Sequence, residues 1–138
     1  TADDLEHDPH DQLLIKGADY TLNGGKLYVA GSNYDGKLKL GTIDTKGTLT
    51  VNSGDYAFSS VIMGGAAGNA LTINNGSVTV GEYNATWGTT AVNGGVLSIG
   101  TLKLENAPVG TLTVGDDATL EITDGIDFGD VKDGYVQK

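Results

Sequence analysis

Apolar and polar positions alternate along Leu71-Thr72-Ile73-Asn74-Asn75-Gly76-Ser77-Val78-Thr79-Val80-Gly81, which reads as two short strands meeting at an Asn-Asn-Gly corner. The same arrangement recurs at Tyr20-Thr21-Leu22-Asn23-Gly24-Gly25-Lys26-Leu27-Tyr28-Val29 and at Leu49-Thr50-Val51-Asn52-Ser53-Gly54-Asp55-Tyr56-Ala57-Phe58. It returns at Thr90 to Gly100 and, more loosely, at Leu112 to Ile122. The residue after the first strand of each copy falls at 23, 52, 74, 93 and 115, so the intervals are 29, 22, 19 and 22. A period near twenty in a chain rich in strand formers predicts a repeat architecture with almost no helix.

The strands read as three to four residues long, and the corners bend the chain without the two-residue reversals of a hairpin sandwich. The expected fold is therefore all-β: a right-handed parallel β-helix of about five or six rungs, stacked ~4.8 Å apart around one apolar interior. Residues 1–12 read as an acidic flexible leader or cap, 13–125 as the β-helix and 126–138 as an acidic C-terminal rung or tail. Ala57 to Gly68 is apolar and then glycine-rich, so its front half reads as the third side of a coil and its back half as the link to the next, with Glu82-Tyr83-Asn84-Ala85-Thr86-Trp87-Gly88 a shorter aromatic link of the same kind.

Stacked rungs place equivalent residues in columns. Leu22, Val51, Ile73, Val92 and Val114 are expected in one interior column, with Val29, Phe58, Val80, Ile99 and Ile122 in a second. Asn23, Asn52, Asn74 and Asn93 are expected in file at one corner, where Asn tolerates unusual backbone and passes side-chain hydrogen bonds from rung to rung. Thr50, Thr72 and Thr113 point outward and make a polar stripe on one face.

Charge sharpens this picture by its placement. Of 18 carboxylates, five lie in residues 1–12 and seven in residues 116–133, while the six between are matched by six lysines, so the net charge of -10 belongs to the ends. The chain has no arginine. Without a basic stripe to release counterions or a guanidinium to grip phosphate, nucleic-acid binding is excluded as a function class. No window holds the eighteen or so apolar residues of a helical span, so this segment is not expected to insert in a membrane. Cysteine is absent, which removes disulfides and thiolate metal sites. The opening Thr1-Ala2-Asp3-Asp4 reads as a mature protein without its leader, or as a fragment.

The column pattern resembles the passenger domains of bacterial autotransporters of the self-associating adhesin type. The matching residues are Gly-Thr-Leu-Thr-Val at 47–51 and 110–114, Leu-Thr-Ile-Asn-Asn-Gly at 71–76 and Val-Asn-Gly-Gly-Val-Leu at 92–97. The resemblance covers most of residues 14–125. It implies export through a barrel in the Gram-negative outer membrane, display at the cell surface or secretion, and a non-enzymatic role in adhesion, autoaggregation, biofilm formation or virulence. The implied partners are other copies of the chain, or a receptor or glycan on a host or neighbouring cell.

Candidate chemistry outside the repeat is sparse. His7 and His10 are the only histidines, and as a pair three apart they suit zinc or copper, but Pro9 prevents the helix that would hold them; the alternative is a solvated acidic leader. Asp124, Asp127, Asp130 and Asp133 recur every third residue and suit calcium, a hard oxygen-seeking ion, although the spacing fits neither common calcium loop. Their other reading is a charged end that keeps the last rung from stacking on a neighbour. Polysaccharide lyases on β-helices use a basic residue with calcium, and glycosidases need two carboxylates facing across a cleft, whereas Asp116-Asp117 occupy a corner the repeat already explains. Such an enzyme, a phage-type fibre module and a plain structural stem stay as alternatives. Tyr20, Tyr28, Tyr34, Tyr56, Tyr83 and Trp87 are the candidate contact aromatics, with an interior position as the other reading for Tyr20 and Tyr56 in their strands. Tyr28, between Leu27 and Val29, is expected to face out, and Trp87 is the favoured single contact residue, its other reading being a plug over a coil end.

Overall fold

The computed structural model describes residues 5–7, 12–27, 36–66, 68–104 and 110–127. These residues form β1 (Leu5–His7), β2 (Gln12–Ile15), β3 (Ala18–Asn23), β4 (Lys37–Leu40), β5 (Gly47–Ser53) and β6 (Asp55–Met63), followed by β7 (Ala70–Ile73), β8 (Ser77–Asn84), β9 (Thr89–Val92), β10 (Gly95–Lys103), β11 (Thr111–Val114) and β12 (Ala118–Asp127). No helix occurs among the described residues, and none is long and apolar enough to cross a membrane. From β2 onward the chain alternates between two sheets, one ordered β1-β2-β4-β6-β8-β10-β12 and the other β11-β9-β7-β5-β3. From β2 to β12 each strand pairs in parallel with the strand one turn away. The result is an all-β parallel solenoid of about five turns, the winding that the twenty-residue period predicts.

The larger sheet departs from the expected strand length. Strands β6, β8, β10 and β12 run for eight to ten residues, because each is two short strands joined through a bend. In β6 the alternation of buried and exposed side chains is interrupted at Ser59 and Ser60, two consecutive residues outside the core. The same interruption occurs at Gly81 and Glu82 of β8. Two outward residues in succession shift the phase of the alternation, so the backbone turns a corner and both halves of the strand face one interior. The pairing skips at the same place, from Phe58↔Val80 to Ser60↔Glu82 and from Ile99↔Ile122 to Thr101↔Gly125. Val61-Ile62-Met63 is thus the third side of its turn. Glu82-Tyr83-Asn84 is not a link but the equivalent side one turn on, in register with Ser60-Val61-Ile62. Tyr83, read from the sequence as a candidate contact aromatic, is fully buried.

Like stacks on like inside. Leu22, Val51, Ile73, Val92 and Val114 are consecutive register partners, and so are Phe58, Val80, Ile99 and Ile122. Val51, Ile73 and Val92 are 0% exposed. Each such side chain contributes about 1.5–3 kcal/mol of transfer free energy, an upper figure because unfolded chains already bury some of it. Val114, expected inside, is 45% exposed. It belongs to β11, the last strand of its sheet, and no described strand stacks beyond it.

The two edges of the larger sheet differ. β1 falls in the stretch read as leader or cap, and it pairs antiparallel with β2 through Leu5↔Ile15, Glu6↔Leu14 and His7↔Leu13. An antiparallel edge strand cannot continue a parallel winding. At the other edge β12 stays parallel and runs to Asp127, past the boundary at 125 that the repeat suggested. Tyr28, Val29, Tyr34, His10, Asp130 and Asp133 lie outside the described residues.

Candidate functional site

The corner joining the smaller sheet to the larger one carries the asparagine file. Asn52 Nδ2 donates to Asn23 Oδ1 at 2.9 Å, Asn74 Nδ2 to Asn52 Oδ1 at 2.8 Å and Asn93 Nδ2 to Asn74 Oδ1 at 2.9 Å. Every donated bond runs the same way along the stack, so Asn52 and Asn74 each donate to the turn before and accept from the turn after, while within the file Asn23 only accepts and Asn93 only donates. Beside it runs a file of glycines, Gly54, Gly76 and Gly95, all with positive φ. Ser77 N donates to Gly54 O and Val96 N to Gly76 O, both at 2.9 Å, which ties the corners of successive turns together. At the fifth corner Gly115 stands where Asn stood, and Asp116-Asp117 form the turn.

The outer face of the five-stranded sheet is built from short side chains in two files. One file is Thr21, Thr50, Thr72, Ala91 and Thr113. Thr50, Thr72 and Thr113 therefore do lie in one line, but a methyl at Ala91 interrupts their hydroxyls. The second file, two residues earlier on each strand, is Asp19, Thr48, Ala70, Thr89 and Thr111. Thr48 Oγ1 donates to Asp19 Oδ1 at 2.6 Å. Asp19 is the one ionisable residue in these two files, so the face is almost free of charge.

A third feature lies where the larger sheet hands over to the smaller one. Ile43, Ile62 and Trp87, which are 78%, 38% and 46% exposed, line a groove of about 310 Å³ together with Lys39, Met63, Gly64 and Gly65. Lys39 and Ile62 are register partners on β4 and β6, while Ile43 and Trp87 stand in the corners after β4 and β8. The corner beneath is pinned by Asn69, a fully buried polar side chain. Asn69 Oδ1 accepts from Gly47 N at 2.9 Å and Asn69 Nδ2 donates to Gly64 O at 2.7 Å, so the buried amide finds partners on two neighbouring turns. Gly41 packs against the same amide with no room for a side chain of its own.

Asp124 and Asp127 are exposed on β12, and the described residues contain no group of three His, Asp or Glu side chains close enough to hold a metal ion. The acidity of Tyr83 is clearly perturbed. Burial pushes its phenol far above the ordinary range, partly offset by a hydrogen bond with Thr90. Sealed in the core, that phenol cannot meet a substrate, so its role is structural.

Sequence reasoning missed Asn69 and the Tyr83–Thr90 pair. For Thr90 a signal existed: its register partners are Leu71 and Leu112, and a hydroxyl in a leucine column calls for a polar partner across the core. For Asn69, placed after the glycine-rich run 64–68, nothing in the local pattern marks burial. Comparison with family models, with characterised proteins and with solved structures finds no match to this chain.

Proposed function

We propose that the chain is a non-enzymatic adhesive module of a bacterial cell surface, part of an autotransporter passenger in the Gram-negative outer membrane, which joins copies of itself side by side through the outer face of the five-stranded sheet. The observation that supports this reading is the pair of Thr and Ala files, with Asp19 as the sole charge among them. Hydroxyls and methyls repeating every ~4.8 Å give a low, regular surface on which a second such face finds matching contacts at every rung. Each contact is weak, and their number along the stack supplies avidity. Neither face brings a charge array that would repel its copy.

The test is the double substitution Thr50→Arg/Thr72→Arg, which places two long cations in the centre of the face. Sedimentation velocity over a concentration series is expected to show association of the parent chain and a monomeric variant with unchanged thermal unfolding. Cells displaying the parent should clump and cells displaying the variant should not. A parent chain that stays monomeric at the highest concentrations and leaves cells dispersed overturns the reading. Release of reducing ends or unsaturated uronates from polysaccharide would replace it with an enzymatic one.

A further inference from the structure

We propose that the groove between Ile43, Ile62 and Trp87 is a binding site for an acidic saccharide, with the Trp87 indole and the two isoleucines packing on pyranose ring faces and Lys39 pairing with a ring carboxylate. This site lies on the larger sheet and its corners, and it does not depend on self-association through the threonine face.

Four large hydrophobic side chains are exposed among the described residues, namely Ile43, Ile62, Trp87 and Val114. Val114 sits on the last strand of its sheet. The other three, contributed by three consecutive turns, converge on one groove. Single exposed hydrophobics need no explanation, whereas a contiguous set of them around a concavity marks a binding surface. From the corner of Ile43 to that of Trp87 is two rungs, about 10 Å, which is room for a short oligosaccharide and little for a folded partner.

The floor of the groove is glycine for two different reasons. At Gly64 a side chain would press within 2.7 Å of the Gly41 and Thr42 carbonyl oxygens, so packing demands glycine there. Gly65 has no such constraint: an added methyl would meet only Ile43 Cγ1 at 3.7 Å and Ile43 Cα at 3.9 Å, ordinary contacts, and the backbone φ is not left-handed. Nothing in the fold requires the missing side chain at 65, and its absence keeps the floor open.

Charge selects the class of ligand. Lys39 is the one ionisable residue lining the groove. It has no ion-pair partner among the described residues, in a chain whose net charge is -10. A cation beside an indole and two aliphatic walls fits a flat ring that carries a carboxylate. An extended peptide fits less well. At the floor Gly64 N already donates to Leu40 O, and next to it Ala66 N donates to Thr42 O, at 2.8 Å each, so a peptide meets no open strand edge of successive free N–H groups there.

Trp87 is the sole tryptophan, so its fluorescence reports on this groove alone. Titration with an oligogalacturonate is expected to shift and saturate that emission, with binding at least about tenfold tighter than for a neutral oligosaccharide of equal length, the equivalent of one good charge-assisted contact. Lys39→Gln should bring the two ligands to similar affinity, and Gly65→Leu should abolish both responses without moving the thermal unfolding midpoint. Thr50→Arg/Thr72→Arg should bind like the parent chain, which separates this site from the association face. The proposal is overturned by an emission that saturating oligogalacturonate leaves unchanged, by Lys39→Gln binding as the parent does, or by an oligoglutamate peptide binding as tightly as the sugar.

Discussion

Tyr83 of β8 and Thr90 of β9 share a hydrogen bond across the apolar core, each otherwise surrounded by columns of aliphatic side chains. Tyr83 stacks between Val61 and Leu102, and Thr90 between Leu71 and Leu112. The two polar groups are tolerable because they satisfy each other. Thr90→Val removes one partner and leaves a buried phenol hydroxyl unpaired, at an expected cost of about 1–3 kcal/mol. Thr90→Val combined with Tyr83→Phe removes both groups and should cost less than the sum of the single changes. A double-mutant cycle by urea unfolding measures the difference, and additive costs would mean that the pair contributes nothing jointly.

The same phenol predicts an alkaline limit. Its ordinary value of 10.0 applies in the unfolded chain, and burial raises it in the folded one. Below the unfolded value both states keep the proton and the group has no effect on the balance. Above it, the unfolded chain ionises while the folded chain does not, so stability falls as pH rises from about 10 toward the raised folded value. Unfolding midpoints followed from pH 8 to 11 should therefore drop in the parent above about 10, and drop less steeply in Tyr83→Phe. Parallel curves would show that the buried phenol does not set the limit.

The asparagine file predicts a gradient of sensitivity. Asn74 both donates to Asn52 and accepts from Asn93, whereas Asn23 only accepts within the file. Asn74→Ala breaks two bonds and Asn23→Ala one, and at about 0.5–1.5 kcal/mol each the inner substitution should cost roughly twice the outer. Solvent exposure of the amides puts both costs at the lower end of that range. Thermal unfolding of the two single variants is the measurement, and equal losses would show that the number of file bonds an amide makes does not set its contribution.

The winding and the columns were legible because both follow from spacing. A corner residue recurring every nineteen to twenty-nine positions brings Asn23, Asn52, Asn74 and Asn93 into line whatever the loop between them. What spacing could not show was the bend within the long strands. Ser59-Ser60 and Gly81-Glu82 look like ordinary polar strand residues, and only the pairing reveals that two of them in succession turn a corner. Tyr83 was misplaced for that reason, since counting on from the bend puts it on the inside. The groove was half visible. Trp87 stood out as the sole tryptophan, but Ile43, Ile62 and Lys39 come from two earlier turns and meet it only once those turns are stacked.

Three glycines, each in a corner between strands, separate the sources of strain. Gly76 has φ +90° and packs against the Gly54 carbonyl oxygen of the turn below, so a methyl there meets both a left-handed backbone and a collision. Gly25 has φ +78° with nothing within 4 Å of an added methyl, so the backbone preference acts alone. Gly65 has neither constraint. Alanine at Gly25 should cost about 1–2 kcal/mol, the price of the left-handed conformation for an L-residue. At Gly76 the cost should exceed that by several kcal/mol, because Gly54 is tied to Ser77 by a 2.9 Å bond and cannot withdraw without breaking it. At Gly65 alanine should be neutral or slightly stabilising, since it reduces the freedom of the unfolded chain. Urea unfolding should show the largest loss for Gly76→Ala, a smaller one for Gly25→Ala and none for Gly65→Ala. A Gly65→Ala variant as unstable as Gly76→Ala would contradict the packing described for the groove floor, and with it the use of Gly65→Leu as a blocking substitution that leaves the fold intact.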